Sequence, residues 1–238
     1  MNRTILLFEE RKAEIEFYYS ILKDIDSSNG RINTIDNARF ERILKSNFLL
    51  MLYNLIEACI TTGFVEIYEA IQNHGNTYVE LISEFQRIWS DYKVGVPSES
   101  TANQGTYKKI VRGILDDILA NRPLEFETTD QIKFTKNILQ ISGNLDARAI
   151  RELLNEHKIT FTDQTDKPKM LIVKRKRNQL AHGEESFGNS ARDYTVSDLE
   201  DFKDEVLGFI KAVLDTMKEY YDNKRYLSET TGAVSQSQ

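Results

Sequence analysis

Residues 48–71 are apolar on nearly every side of a helical wheel, and no other stretch limits the possible folds as strongly. A helix that is hydrophobic all round has to be covered by its neighbours. The pattern therefore predicts a central helix over about residues 36–73, with the remaining chain wrapped around it. Asn54, Glu57, Thr61, Thr62, Gly63, Glu66 and Glu69 interrupt the run, whereas a bilayer core asks for roughly 20 near-continuous apolar residues. No membrane partner is expected. At the start of the chain, Arg3, Glu9 and Glu10 surround a short apolar patch, which does not read as a secretory segment. With 40% hydrophobic and 29% charged residues, the balance is that of a soluble globular protein. A cytoplasmic protein is expected.

The rest of the chain also reads as helix, because 11 Gly and 3 Pro in 238 residues leave few breakers. A first helix is expected over residues 4–27, carrying Ile5, Phe8, Ile15, Tyr18, Tyr19, Leu22 and Ile25 and ending at Asn29-Gly30. His74-Gly75-Asn76 closes the central helix. A third helix is expected at 78–92, followed by a mobile polar loop at 98–104. A fourth presents Tyr107, Ile110, Val111, Ile114, Leu115, Ile118 and Leu119, and Asn121-Arg122-Pro123 stops it. Short helices are read at 130–141 and 146–157, with a turn at 142–144. Residues 159–167 look irregular, and a brief strand at 159–161 stays open. Pro168 suits the first position of a helix running to His182, with Met170, Val173 and Leu180 inward and Gly183 as a left-handed cap. Thr195 and Asp198 form a capping box for the clearest amphipathic helix of all, from Leu199 to Tyr221 at 3-4 spacing. Residues 228–238 read as a disordered tail.

Composition narrows the chemistry. The single Cys59 excludes an intrachain disulfide or a cysteine zinc cluster. His74 and His157 lack ligand-like neighbours in sequence, so no metal and no cofactor is expected. A net charge of −6 argues against a protein that coats nucleic acid broadly, but leaves room for a local basic patch. Lys174-Arg175-Lys176-Arg177 is such a patch, or simply a solvated face. Within it begins Arg177-Asn178-Gln179-Leu180-Ala181-His182, followed by Gly183. A guanidinium can hold a phosphate and offset the charge of a pentacovalent transition state. An imidazole can take a proton from a 2′-hydroxyl or give one to the leaving oxygen. His182 lies where a helix's negative end favours imidazolium and the neighbouring cations oppose it.

On an unbroken helix, Arg177 and His182 would stand roughly 140° apart. They cannot both face one phosphate unless His182 swings at the helix end or a second copy supplies the missing group. Lys174, Asn178 and His182 do share a stripe, which makes Lys174 the candidate substrate-binding cation. Glu57, on the central helix beside Tyr53 and Asn54, is a candidate supporting partner for Arg177.

The hexapeptide, with Asn178 after the arginine, resembles the Arg-x4–6-His signature of the HEPN superfamily, many of whose members are RNases of toxin–antitoxin and anti-phage systems. The continuation Gly183-Glu184-Glu185-Ser186-Phe187, then Arg192, Thr195 and Asp198-Leu199, resembles one prokaryotic branch. The resemblance implies an all-α, HEPN-like helical bundle forming a single domain over residues 1–227. Its core would be about 1–74 and 166–227, with a helical insertion at 75–165 between the second helix and the motif helix. It further implies metal-independent cleavage of RNA with Arg177, Asn178 and His182 as catalytic residues, and a homodimer with a composite active site. An antitoxin or defence-system partner would accompany it. The alternatives are a non-catalytic HEPN module that binds RNA, a nucleotide or a partner effector, and a helical scaffold whose function lies in the insertion.

Overall fold

The computed structural model describes residues 1–27, 37–95, 104–126, 128–141 and 144–229. Its helices are α1 (Asn2–Ser27), α2 (Asn37–Asn73), α3 (Ser83–Val94), α4 (Gln104–Leu119), α5 (Gln131–Asn137), α6 (Ala147–Glu156), α7 (Pro168–Ala181), α8 (Phe187–Ser190) and α9 (Val196–Asp222), with a 3₁₀ turn at Tyr78–Glu80. The fold is all-α. Among the described residues only two isolated β-bridges occur, Thr77 with Pro123 and Leu81 with Leu227. The stretch at 159–161 is coil, and it buries Ile159 and Phe161 without a strand partner.

α2 is the axis, with α1, α7, α8 and α9 packed around it. Phe48, Leu49, Leu52, Tyr53, Leu55, Ile56, Cys59, Ile60, Phe64, Ile67, Tyr68 and Ile71 are all fully buried, as a helix apolar on every side requires. Length and apolarity alone would let 38–73 pass as a membrane span, despite the polar residues that interrupt it. The most apolar window is 72% buried inside the chain, so protein already covers it. α9 lays Leu199, Phe202, Val206, Phe209, Ile210, Val213, Leu214, Met217 and Tyr220 into the same core. Its start is the expected box: Thr195 N–H donates to Asp198 Oδ2 at 2.8 Å, and Asp198 N–H to Thr195 Oγ1 at 3.1 Å.

Residues 75–165 depart from their expected outline. Residues 78–92 form a 3₁₀ turn and then α3, with Leu81 and Ile82 extended between them. The cause is tertiary: Ile82 N–H donates to Tyr226 O, and Ser228 N–H to Glu80 O. Ser228 is therefore docked, while the expected tail from 230 on lies outside the described residues, as do residues 98–103 of the expected 98–104 loop, the Asn29-Gly30 turn and Ser142-Gly143; Gln104 instead opens α4. α4 packs on α3 through Ile114 and Ile118 and leaves Tyr107, Val111, Leu115 and Leu119 exposed. α6 has Asp146 as its N-cap, accepting from Ala149 N–H at 2.9 Å, and buries Ile150, Leu153 and Leu154. The one-turn α8 is tied to α2: Ser46 Oγ donates to Phe187 O at 2.6 Å and accepts from Ala191 N–H at 3.2 Å.

Candidate functional site

The motif helix α7 is held at both ends. Pro168 takes the first position, where a missing N–H costs nothing. The next two N–H groups, of Lys169 and Met170, donate to Glu205 Oε1 of α9 at 2.8 and 3.2 Å. Met170 and Val173 are fully buried, and Leu180 is half-buried at the far end. There the chain closes in a Schellman arrangement, with Glu184 N–H donating to Gln179 O and Gly183 N–H to Leu180 O. Gly183 has a φ of 70°, the left-handed value that this motif requires. His182 is the capping residue, with φ −89° and ψ −1°, and its ring is exposed.

Arg177 points the other way, onto α2. Its guanidinium lies over the Tyr53 ring, 4.8 Å from the centroid, and Nη2 stands 3.8 Å from Glu57 Oε2. Nη1 donates to Asn178 Oδ1 at 3.1 Å. Tyr53 and Glu57 are one turn apart on α2, so they present a ring and a carboxylate to the same cation. Burial holds the Tyr53 phenol above its ordinary range, though the Leu145 N–H pulls against this, and the ring stays neutral beneath the charge. Arg177 keeps 29% of its side chain in solvent. Its planar fork has five N–H donors, so it can hold an anion without letting go of α2.

The neighbouring cations scatter. Lys174 does share the stripe with Asn178, but its ammonium is paired with Asp146 in front of α6. Partial burial alone would raise the Asp146 carboxyl; the Lys174 hydrogen bond and the Ala149 N–H outweigh it and lower the pKa. Lys176 pairs with Glu185 at 2.9 Å, and Arg175 is exposed. Asn178 donates from Nδ2 to Asn144 Oδ1 at 2.6 Å. Asn144 and Asp146 carry no sequence signal for this place, because only tertiary packing brings them to α7. Glu57 did carry one, through its position on α2.

The helix is regular through Ala181 and His182 keeps near-helical angles. The roughly 140° separation of Arg177 and His182 therefore persists. One chain offers an anchored guanidinium facing α2 and, at the end of the same helix, an imidazole facing solvent. Among the described residues no three His, Cys, Asp or Glu side chains gather as a metal site. Comparison with curated proteins and with solved structures returns no match. Comparison with protein families matches HEPN_MAE_28990-like HEPN over residues 6–226, which takes in the motif helix and residues 75–165 alike. With the arginine, the amide and the histidine set along the penultimate long helix of an all-α bundle, the chain belongs to the HEPN superfamily, in its HEPN_MAE_28990-like family.

Proposed function

We propose that the chain is a metal-independent endoribonuclease of a toxin–antitoxin or anti-phage defence system, working in the cytoplasm as a symmetric homodimer. The observation that carries this reading is the pair of states on α7: an arginine pre-oriented by Tyr53, Glu57 and Asn178, and an exposed histidine fixed by a glycine cap. Phosphodiester cleavage by an internal nucleophile needs these two groups. The 2′-hydroxyl attacks the adjacent phosphorus and the bond to the 5′-oxygen breaks, leaving a 2′,3′-cyclic phosphate and a 5′-hydroxyl. Arg177 binds the phosphoryl oxygens and offsets the charge that builds on them. His182 moves one of the two protons, from the 2′-hydroxyl or to the leaving oxygen. Asn178 holds Arg177 through its Oδ1. Lys174, paired with Asp146, supports α7 and does not meet RNA on this reading. The dimer follows from the separation of the two groups around the helix, since each phosphate then takes Arg177 from one copy and His182 from the other.

Purified protein incubated with mixed RNA in excess chelator tests this, beside Arg177→Ala and His182→Ala. Cyclic-phosphate products are expected from the wild type, with each substitution lowering kcat by roughly 10²-fold or more. Cleavage that survives either change removes the proposed site.

A binding module without catalysis is favoured by one observation. The whole chain is acidic at pI 5.3. Tight RNA or effector binding by a wild type that leaves RNA uncut would support it.

A further inference from the structure

Three consecutive residues of the insertion each grip a different part of the candidate site. Asn144 Oδ1 accepts from Asn178 Nδ2 at 2.6 Å. Leu145 N–H donates at 3.3 Å to the hydroxyl of Tyr53, whose ring carries Arg177. Asp146 is paired with Lys174, one turn before Asn178 on α7. From this we infer that the turn Asn144–Leu145–Asp146 is a positioning element for the motif, and that Asn144 is the residue that holds Asn178 in its orientation. The inference rests on the nuclease reading for its effect on rate, but not for the contacts themselves.

Hydrogen-bond logic fixes the direction of the chain. A guanidinium only donates, so the Asn178 oxygen must face Arg177. The Asn178 amide nitrogen must then face Asn144, which has to present its oxygen. Turning Asn178 over would set its NH₂ against the guanidinium, two donors nose to nose. Arg177 therefore sets which way Asn178 points, Asn144 holds it there by accepting on the far side, and Asn178 in turn steadies Nη1 of Arg177.

The turn itself is anchored. Asp146 caps α6 by accepting from Ala149 N–H at 2.9 Å. α6 is fastened by Arg151, whose guanidinium donates to Asp163 O and Thr165 O and lies 5.3 Å from the centroid of the Phe209 ring. It is fastened again at His157, where Tyr68 and Tyr220 meet its ring and its carbonyl. The insertion thus reaches the site along a rigid path, through a segment that has no reacting group of its own.

Asn144→Ala, Asn144→Asp and Asp146→Asn separate positioning from plain stability. Asn144→Asp keeps an acceptor for Asn178; Asp146→Asn keeps a good helix cap but drops the charge that holds Lys174. The first readout is NMR on the full chain: solvent exchange of the Asn178 carboxamide protons, assigned by their loss in Asn178→Asp. Exchange about tenfold faster is expected in Asn144→Ala and Asp146→Asn, with wild-type rates restored by Asn144→Asp. Unchanged exchange in Asn144→Ala and Asp146→Asn overturns the inference, whatever the nuclease does. The second readout is RNA cleavage in chelator, where kcat is expected to fall about tenfold in those two variants with KM nearly constant, because groups are misplaced and not lost. A fall in thermal midpoint that tracks the fall in kcat across all three variants also overturns it, since that is what a merely structural contact would give. An inactive wild type with the expected exchange pattern leaves the positioning turn standing and removes the nuclease.

Discussion

The ring of His157 sits at the end of α6 between Phe64 and Phe85, with centroids 4.4 and 5.4 Å away. Nδ1 lies 2.8 Å from the Leu153 carbonyl, which can only accept, so the proton is on Nδ1 and Nε2 accepts from the Tyr68 hydroxyl at 2.8 Å. The ring is neutral by construction. Burial pushes its pKa down to about 4, although the Leu153 carbonyl works the other way, and Arg87 lowers it further. The unfolded chain would protonate this residue near 6.5. Above that pH neither state is charged, so the stability associated with the neutral ring is fully present. As pH falls from 6.5 toward 4 only the unfolded state takes up the proton, and stability drains away. Between pH 7 and pH 5 the loss from this group should be about 2 kcal/mol. Urea titrations at the two pH values, on wild type and His157→Gln, check it; an equal pH dependence in both proteins would rule out His157 as the source. In sequence this residue reads as the end of a short helix, which it is. Nothing there reveals that the helix end is driven into the aromatic core.

α7 is only 14 residues long and has little amphipathic pattern of its own, so its placement depends on what meets its two ends. At the first turn Glu205 accepts from two backbone N–H groups that have no partner within the helix. Glu205→Ala should cost roughly 1–2 kcal/mol, as a lost cap does, with Glu205→Gln recovering part of it in urea denaturation. At the last turn the positive φ of Gly183 can be tested without steric confusion, because a Cβ there would meet open space. Gly183→Ala should therefore cost about 1 kcal/mol from backbone strain alone, and Gly183→Asn less. If the cap aims His182, cleavage should fall in Gly183→Ala by more than stability accounts for. Elements with a strong pattern or clear end signals were legible in the sequence: α2 from its apolar circumference, α9 from its 3-4 stripe and capping box, and α7 from Pro168 and Gly183. Features made by distant partners were not. The break at Leu81–Ile82 comes from Tyr226 and Ser228, α8 from Ser46, and the hold on Asn178 from Asn144. The candidate site divides along the same line: its letters and Glu57 are readable, and the hold of Asn144 and Asp146 is hidden.

For the whole molecule, the decisive geometry is that the two groups of the proposed site leave α7 in different directions. Arg177 is pinned against α2 of its own chain, and His182 is exposed at a cap that the Schellman bonds hold still. Swinging His182 round to Arg177 would mean unwinding the last turn and breaking those bonds. In the proposed two-fold pair no such change is needed, because an isologous contact would set each helix end against the partner's arginine. One exposed Arg175 beside a half-exposed Arg177 is a thin patch for a polyanion, and the proposed pair would bring two such patches together. Complementation tests the arrangement directly. Arg177→Ala and His182→Ala homodimers should each be inactive, because every composite site lacks one group. In a mixed dimer, one site lacks both groups and the other takes His182 from the first chain and Arg177 from the second, so it is intact. An equimolar mixture, unfolded and refolded together, is half mixed dimers with one working site of two, and should recover about a quarter of wild-type cleavage. Sites contained within single chains would recover none, and the same null result with a wild type that runs as a monomer at assay concentration would place both groups in one chain's cleft.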